Sequence, residues 1–368
     1  MSTRWPPPVA IVGAGAVTPI GAEWRGFGRA VLEKRIEYRH VAPVGEHGPT
    51  RLGFPAAEIP AELDVDLSSR RRMSHAARLS AIAARLAVRD AGWAAPLDDA
   101  GFFLGVGPSG ASIDELTALL RASSPGGVFD PKAVGTAGLR ACNPLFTFQT
   151  MNNFTLCHAA IQEGTRGPNL ALFSRGAGTV TAMAEAAWAI TEGSCARALA
   201  GAADSALHPM TWAEGSREGW LEGVHPAEGA ALLALEPLGA PKTIAVLERA
   251  YVESGRVSTT TDALSRALDA LADIADSIEA AVVSSALPQE RARLEMAPMR
   301  RLGASRGPDG AKVLRLHRFG GESLAATPAM AAVAALDMLV ASTSMARFAA
   351  ITVGIDGDVA VTVLRRSA

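Results

Sequence analysis

Residues 170–190, "LALFSRGAGTVTAMAEAAWAI", contain the turn that decides the fold. The apolar run at its start predicts a buried strand, the glycines predict a turn, and the alanine-rich remainder predicts a helix. In many α/β enzymes such a turn presents a nucleophile, because the helix N-terminus stabilises an anion there. Here the turn carries Arg175, whose positive charge is at the unfavourable end of the helix dipole.

The same strand, turn and helix pattern occurs elsewhere in the first part of the chain. Residues 8–17, "PVAIVGAGAV", and residues 101–110, "GFFLGVGPSG", are apolar runs that end in glycines. Between them, residues 74–93 have apolar side chains at helical spacing and a glycine that suits a helix C-terminus. The pattern predicts an α/β fold.

The second part of the chain repeats this pattern of strands and helices. Residues 262–280, "DALSRALDALADIADSIEA", form an amphipathic helical pattern, and short apolar strands follow it. We therefore predict two similar α/β halves, residues 1–240 and residues 241–368. No low-complexity linker separates them, so we expect a shared core.

Composition narrows the function classes. The chain has 368 residues, 49% of them hydrophobic, and a formal net charge of -2, which gives no electrostatic reason to expect nucleic acid as a partner. The sequence begins without an export-type apolar segment and has no run of eighteen uninterrupted apolar residues. It predicts no membrane span and a cytoplasmic location.

Neither a metal site nor a bound cofactor is predicted. Cys142, Cys157 and Cys195 lie far apart without a CxxC pair, and the seven histidines form no metal-binding motif. The glycines from Gly13 onward suggest a dinucleotide fingerprint, but the third glycine is misplaced and no acidic residue follows at the required distance.

Three blocks together resemble the β-ketoacyl-acyl carrier protein synthases, the ketosynthases of the thiolase fold. Residues 9–21, "VAIVGAGAVTPIG", are similar to the family's opening strand and turn. Residues 150–205 resemble its central block around the nucleophile, and residues 223–238 resemble the Glu-Gly-Ala strand that follows. The resemblance implies two similar βαβαβ-type halves in five layers, α-β-α-β-α.

The family's chemistry requires a cysteine at the turn and two histidines that assist malonyl decarboxylation. In this sequence Arg175 stands where the resemblance places the cysteine. The first histidine position holds Ser284, or Ser285 if the loop is gapped, and the second holds Gly321, followed by Glu322. The resemblance therefore implies that no catalytic residue of the condensation remains.

Two further family motifs also differ. The family's lysine position falls on Leu316, beside His317, and Val353 and Ile355 replace the phenylalanines of the strand that gates the acyl pocket. The family carries a long segment before its last strands. In this sequence that segment is shortened to "ASTSMARFAAI", residues 341–351. Because the scaffold motifs remain while the functional motifs do not, we interpret the chain as a scaffold kept for another role than condensation.

Arg175 needs a partner, because burying an unpaired guanidinium costs several kcal/mol. In the thiolase architecture Glu322, Asp356 and Asp358 approach the turn, so we predict that Arg175 forms an ion pair with one of these acids. The alternative is that Arg175 binds an anion such as a carboxylate or phosphate, which its planar fork suits.

The leading functional hypothesis is a non-catalytic, chain-length-factor-like subunit. Relatives of that kind lack the nucleophile and pair with an active ketosynthase in polyketide synthesis; polyene or fatty-acid-like pathways are equally compatible. Chain-length factors commonly carry glutamine in place of the cysteine, and Arg175 departs from that pattern.

Two other hypotheses remain open. The chain could be an acyltransferase or hydrolase that uses Ser284, Ser285 or Cys157. It could instead be a homodimeric scaffold or acyl-binding protein, joined through the central strand of the opening stretch, because the family dimerises by joining its sheets there. In addition, Arg70, Arg71 and Arg72 form a basic run that could dock an acidic acyl carrier protein, although such a run before a helix is usually a solvated face.

Overall fold

The strands of the computed structural model alternate with helices along most of the chain. The model describes residues 5–42, 50–108, 110–143, 145–303, 311–343 and 346–367. Its strands are β1 (Val9–Val17), β2 (Arg39–Val41), β3 (Arg51–Gly53), β4 (Ala100–Val106), β5 (Asn169–Phe173), β6 (Arg197–Ser205), β7 (Glu228–Glu236), β8 (Ala245–Glu253), β9 (Ile278–Ser285), β10 (Lys312–Arg315), β11 (Arg347–Val353) and β12 (Val359–Arg366).

Helices lie between these strands. They are α1 (Phe27–Leu32), α2 (Leu67–Arg70), α3 (His75–Ala91), α4 (Ile113–Ala122), α5 (Pro131–Ala133), α6 (Leu139–Ala141), α7 (Phe146–Thr150), α8 (Phe154–Glu163), α9 (Gly178–Thr191), α10 (Pro209–Glu218), α11 (Thr260–Asp269), α12 (Arg291–Arg301), α13 (Leu316–Phe319) and α14 (Thr327–Ala341).

The two parts of the chain have the same strand order. The first part places its strands as β1-β7-β6-β4-β5, and the second as β8-β12-β11-β9-β10. In each set the first strand pairs antiparallel with the last, whereas the three strands at the far side are parallel. This internal repeat fits the α/β, thiolase-like architecture expected from the sequence.

One hydrogen-bonded connection between the sets was not expected. Residues Val9–Ile11 of β1 pair antiparallel with Ala245–Leu247 of β8, so the ten strands form one continuous sheet. Because β7 pairs with its other edge, β1 has a neighbouring strand on each side, which contradicts the expectation that a homodimer joins through this strand. The division at residues 240 and 241 falls in the connection between β7 and β8 and stays a prediction of domain organisation.

Helices cover the strands in five layers. On one outer face α3 packs on β1, β6 and β7, and on the opposite outer face α11 and α12 pack on the second set. The helices α9 and α14 lie between the two sets. Strands covered on both faces must be apolar throughout, and all nine residues of β1 are buried. Three clusters of buried hydrophobic side chains occupy the middle and the two outer interfaces.

The middle layer explains the most apolar segment of the chain. Residues Leu324–Ala341 are long and apolar enough to cross a membrane, with a mean hydropathy of 1.8, but 83% of this stretch is buried inside the protein. A core helix enclosed by two sets of strands has the same composition as a membrane span.

Candidate active site

The turn between β5 and α9 places Arg175 at the boundary between the two halves. Ser174 Oγ accepts hydrogen bonds from the backbone N–H groups of Gly176, at 3.3 Å, and Gly178, at 3.1 Å. A Cβ added to Gly176 would lie 3.0 Å from Gly354 Cα in the loop between β11 and β12. The glycines therefore allow the two loops to touch, which brings Asp356 of the second half to the turn.

Three carboxylates surround the Arg175 guanidinium. Nη2 lies 2.7 Å from Asp356 Oδ1, and Nη1 lies 2.8 Å from Glu218 Oε2 and 3.4 Å from Glu214 Oε1. Burial lowers the pKa of Arg175, but hydrogen bonds and charge from Glu218 and Asp356 outweigh this effect and raise the pKa above its usual value. The arginine is thus held as a cation by an excess of acids.

The structure places the three acids named from the sequence in different surroundings. Of these, Asp356 contacts Arg175, whereas Asp358 accepts a hydrogen bond from the Gly255 N–H at 2.8 Å. Glu322 is buried and bonded elsewhere. Sequence reasoning missed Glu214 and Glu218, although their separation of four residues on one helix was a signal for a shared acidic face.

A cavity of about 680 Å³ opens beside this ion-pair cluster. Arg175, Glu218 and Asp356 lie on its wall, and Trp220 and Ile355 contribute apolar surface. Val353, the other residue expected at the acyl gate, is buried in β11. An anion that entered the cavity would have to replace carboxylates already bonded to Arg175, so the arrangement favours the ion pair over anion binding.

Ser284, at the first expected histidine position, and Glu322, the residue after the second expected position Gly321, meet in a buried hydrogen-bond cluster. Ser284, near the end of β9, donates to Glu322 Oε2 at 3.2 Å. Thr327 Oγ1 donates to Glu322 Oε1 at 2.6 Å, and the Leu324 N–H donates to the same oxygen at 2.9 Å. Complete burial dominates and raises the pKa of Glu322 to about 7.

Gly321 occupies a position that excludes a side chain. Its φ is +78°, and an added Cβ would lie 2.7 Å from Ala227 Cβ and from Phe54 Cδ2. A positive φ is unfavourable for other residues, and backbone and core atoms leave no room. A histidine could not be accommodated here without moving the surroundings.

Among the residues that the structure describes, the basic side chains of Arg291 and His317 bond to groups other than Glu322. The charge of Arg291 lowers the pKa of Glu322 in part, and Arg291 Nε donates to Ser285 O at 3.3 Å. His317 Nε2 lies 3.1 Å from Glu295 Oε1, and burial together with Arg291 lowers the pKa of His317 to about 4. Leu316, at the expected lysine position, is buried.

The sequence matches a family model over the first of the two sets of strands, which is more than half of the chain. Residues 7–238 match the model described as Beta-ketoacyl synthase, N-terminal domain. The chain belongs to the β-ketoacyl synthase family. No curated protein matches the sequence significantly.

Solved ketosynthase structures share the fold at low sequence identity. One is a beta-ketoacyl synthase from Burkholderia phymatum STM815, with 18% identity, a TM-score of 0.77, and coverage of 98% of this chain and 100% of that chain. Another is the ishigamide ketosynthase/chain length factor, with 16% identity, a TM-score of 0.77, and coverage of 99% and 100%.

A third similar structure comes from AntDE:AntF, a type II PKS acyl-carrier protein in complex with its ketosynthase bound to the hexaketide. It has 13% identity, a TM-score of 0.75, and coverage of 98% of this chain and 100% of that chain. At these identities the similarity shows the fold alone.

The other candidate nucleophiles of this ketosynthase-like chain are not activated. Cys157 and His158 are neighbours on α8, but His158 Nε2 lies 3.2 Å from Arg72 O. Burial raises the pKa of the Cys157 thiol and lowers that of His158. Ser285 Oγ donates to Leu287 O at 3.0 Å, within its own loop.

The basic run at the end of α2 lies at the surface. Arg70 Nη1 is 3.1 Å from Asp64 Oδ2, so its charge is partly neutralised. Arg71 and Arg72 are exposed, and in the part of the chain that the structure describes neither forms an ion pair. Docking of a carrier protein here stays a prediction.

Proposed function

We propose that this chain is a non-catalytic ketosynthase-like subunit that supports an active ketosynthase in a polyketide, polyene or fatty-acid-like pathway. The observation that carries the proposal is Arg175, which occupies the nucleophile turn and is tied to Glu214, Glu218 and Asp356. A guanidinium cannot accept an acyl chain as a thioester, because it lacks the thiolate that attacks the substrate carbonyl.

The residues at and beside the two expected histidine positions support the same conclusion. Ser284 and Glu322 are bonded to each other inside the core, and both are almost fully buried. Neither supplies an imidazole toward the turn. Decarboxylation of a malonyl thioester requires stabilisation of a developing enolate, and a carboxyl group that is partly ionised at neutral pH opposes that negative charge.

The edge of the sheet offers a place for the partner. Among the described residues β5 is the outermost strand of its set, and Phe173 at its end is 59% exposed. An unpaired strand edge with exposed apolar groups favours addition of another chain. We place an active ketosynthase there. The ishigamide protein named above is described as a ketosynthase/chain length factor.

Intact mass spectrometry tests the missing chemistry. The purified chain is incubated with acyl-loaded and malonyl-loaded carrier protein, beside Arg175→Cys and beside an active ketosynthase as the positive control. We expect no acyl adduct and no carbon dioxide from the wild-type chain. An acyl mass on the wild-type protein, or release of carbon dioxide, would contradict the proposal.

Co-expression tests the partner separately. We expect the chain to form a heterodimer with an active ketosynthase from its own source, and Phe173→Asp at the end of β5 to weaken that complex. Ile161→Asp, at another exposed apolar side chain on α8, tests how far the interface extends. A homodimer that persists beside the ketosynthase would favour a self-associating scaffold instead.

A second candidate function is acyl transfer or hydrolysis through Ser284. The 3.2 Å hydrogen bond to Glu322 is the observation that favours it, because a carboxylate can accept the hydroxyl proton. An acyl-thioester probe that labels the wild type but not Ser284→Ala would establish this chemistry. The burial of both groups argues against access by the probe.

A further inference from the structure

An apolar groove lies on the outer face of the second half, between α11 and α12. It has a volume of about 440 Å³ and is lined by Leu264, Leu268, Met296 and Ala297. The two leucines are buried and form its floor, whereas Met296 is 47% exposed. The groove is separate from the Arg175 cavity, with which it shares no lining residue.

Hydrogen bonds between α11 and α12 show how the two helices run and how long the groove between them is. Arg293 Nη1 donates to Thr261 Oγ1 at 2.6 Å near the start of both helices. Farther along, Arg301 donates to Ser265 O at 3.3 Å and also bonds Asp269. The contacts advance in the same direction on both helices, which therefore run side by side. A ten-residue helix is about 15 Å long, so the groove has room for two to three helical turns.

The rim of the groove is basic. Arg293, Arg300 and Arg301 all border it. Glu290 lies 3.2 Å from Arg293, and Asp269 pairs with Arg301. Arg300 is exposed, and no acid pairs with it among the residues that the structure describes. The rim thus has one more arginine than it has acidic partners, beside an apolar floor.

We propose that this groove binds an acidic amphipathic helix of a partner protein. Apolar side chains at positions i, i+3, i+4 and i+7 of such a helix would contact the leucines and Met296, and flanking carboxylates would reach the arginines. The guanidinium of Arg300 can bind a carboxylate of the helix through two parallel N–H···O hydrogen bonds. Arg293 and Arg301 are exposed and can exchange their present acidic partners for carboxylates of the helix. The inference does not depend on the proposed function.

Synthetic peptides test the groove in the full-length chain. The probe is a fluorescein-labelled 14-residue helix with leucines at i, i+3, i+4 and i+7 and glutamates on its flanks; the control peptide carries lysines in place of the glutamates. Fluorescence anisotropy should show binding of the acidic peptide alone. Because its ionic part is screened by salt, binding should weaken when NaCl is raised from low to high concentration.

Variants locate the binding. We expect Met296→Asp to weaken binding of the acidic peptide about tenfold and Arg300→Glu to weaken it roughly threefold to tenfold. Each substitution removes a side chain that would contact the peptide and adds a negative charge that repels it. Arg89→Glu, on the exposed side of the opposite outer helix α3, is the matched control and should leave affinity unchanged. Arg300 is at the surface, so this variant reports on binding even if Met296→Asp fails to fold.

Four outcomes would overturn the inference. The first is equal binding of the basic peptide, and the second is binding that neither groove variant alters. The third is no binding of the acidic peptide, and tight binding of palmitate or anionic phosphatidylglycerol vesicles in its place would identify the groove as a lipid site. The fourth is self-association of the chain that Met296→Asp abolishes, because the groove would then be covered by a second copy.

Discussion

Two turns at equivalent places in the two halves treat a charged side chain in opposite ways. Arg175 follows β5 and precedes α9; Glu322 follows β10 and precedes α14. Arg175 faces a cavity and is neutralised by three acids, whereas Glu322 is enclosed by neutral donors and has its pKa raised to about 7. The fold thus tolerates a charge at this turn either by pairing it or by favouring its neutral form.

Adding a side chain at Gly321 is expected to have the largest effect on stability. Gly321→Ala should lower the free energy of unfolding by roughly 4 kcal/mol, because left-handed strain adds to overpacking, and Gly321→His should cost at least as much. Urea denaturation measures the difference.

Gly193→Ala is the matched control for this prediction. Gly193 has a similar φ of +77°, but nothing lies within 4 Å of an added Cβ. It should cost only about 1–2 kcal/mol, the strain alone. Equal losses in the two alanine variants would show that the space around Gly321 adapts.

Glu322→Gln should change how stability depends on pH. The pKa of Glu322 is raised to about 7 from a usual 4.5, so the stability contributed by the protonated group is complete below pH 4.5 and is lost as pH rises through 7. As pH rises from 4.5 to 7, the free energy of unfolding of the glutamine variant should therefore increase relative to that of the wild type by up to about 3 kcal/mol.

Denaturation at several pH values checks this prediction, and Thr327→Val sharpens it. The Thr327 hydroxyl lowers the pKa of Glu322, so its removal should extend the loss of stability to higher pH. A difference between wild type and Glu322→Gln that stays constant from pH 4.5 to pH 8 would contradict the burial argument.

Arg175→Met is expected to have a smaller effect. It leaves Glu214, Glu218 and Asp356 facing one another, but all three side chains are partly exposed, so solvent limits the cost to about 1 kcal/mol at low salt. Combining it with Glu218→Gln and Asp356→Asn should recover most of the loss. Thermal unfolding at two salt concentrations would reveal whether the cluster contributes as ion pairs.

The sequence predicted the scaffold better than the contacts of its charged groups. Apolar periodicity and the spacing of glycines locate β5 and α9, because strands and helices are determined largely by local patterns. The partner Asp356 was named because the thiolase architecture brings its loop to the turn. Glu214 and Glu218 were missed because their contact depends on how α10 packs, which local patterns do not determine.

Glu322 was placed at the right turn but given the wrong surroundings. The sequence predicts Glu322 as a possible partner of Arg175. In the structure, Gly321 and Leu324 have positive φ angles, which turn the backbone on both sides of Glu322. Its carboxyl group therefore accepts hydrogen bonds from Ser284 and Thr327 instead. Such backbone conformations depend on tertiary packing and leave no periodic signal in the sequence.

The pairing of β1 with both β7 and β8 has a consequence for synthesis on the ribosome. β1 ends at Val17, but its partners β7 and β8 begin at Glu228 and Ala245, so both of its edges lack their native neighbours until these later strands have been made. Contacts of such sequence separation form slowly. The nascent chain must therefore keep this strand, all of which is buried in the folded protein, from aggregating until both partner strands have been made.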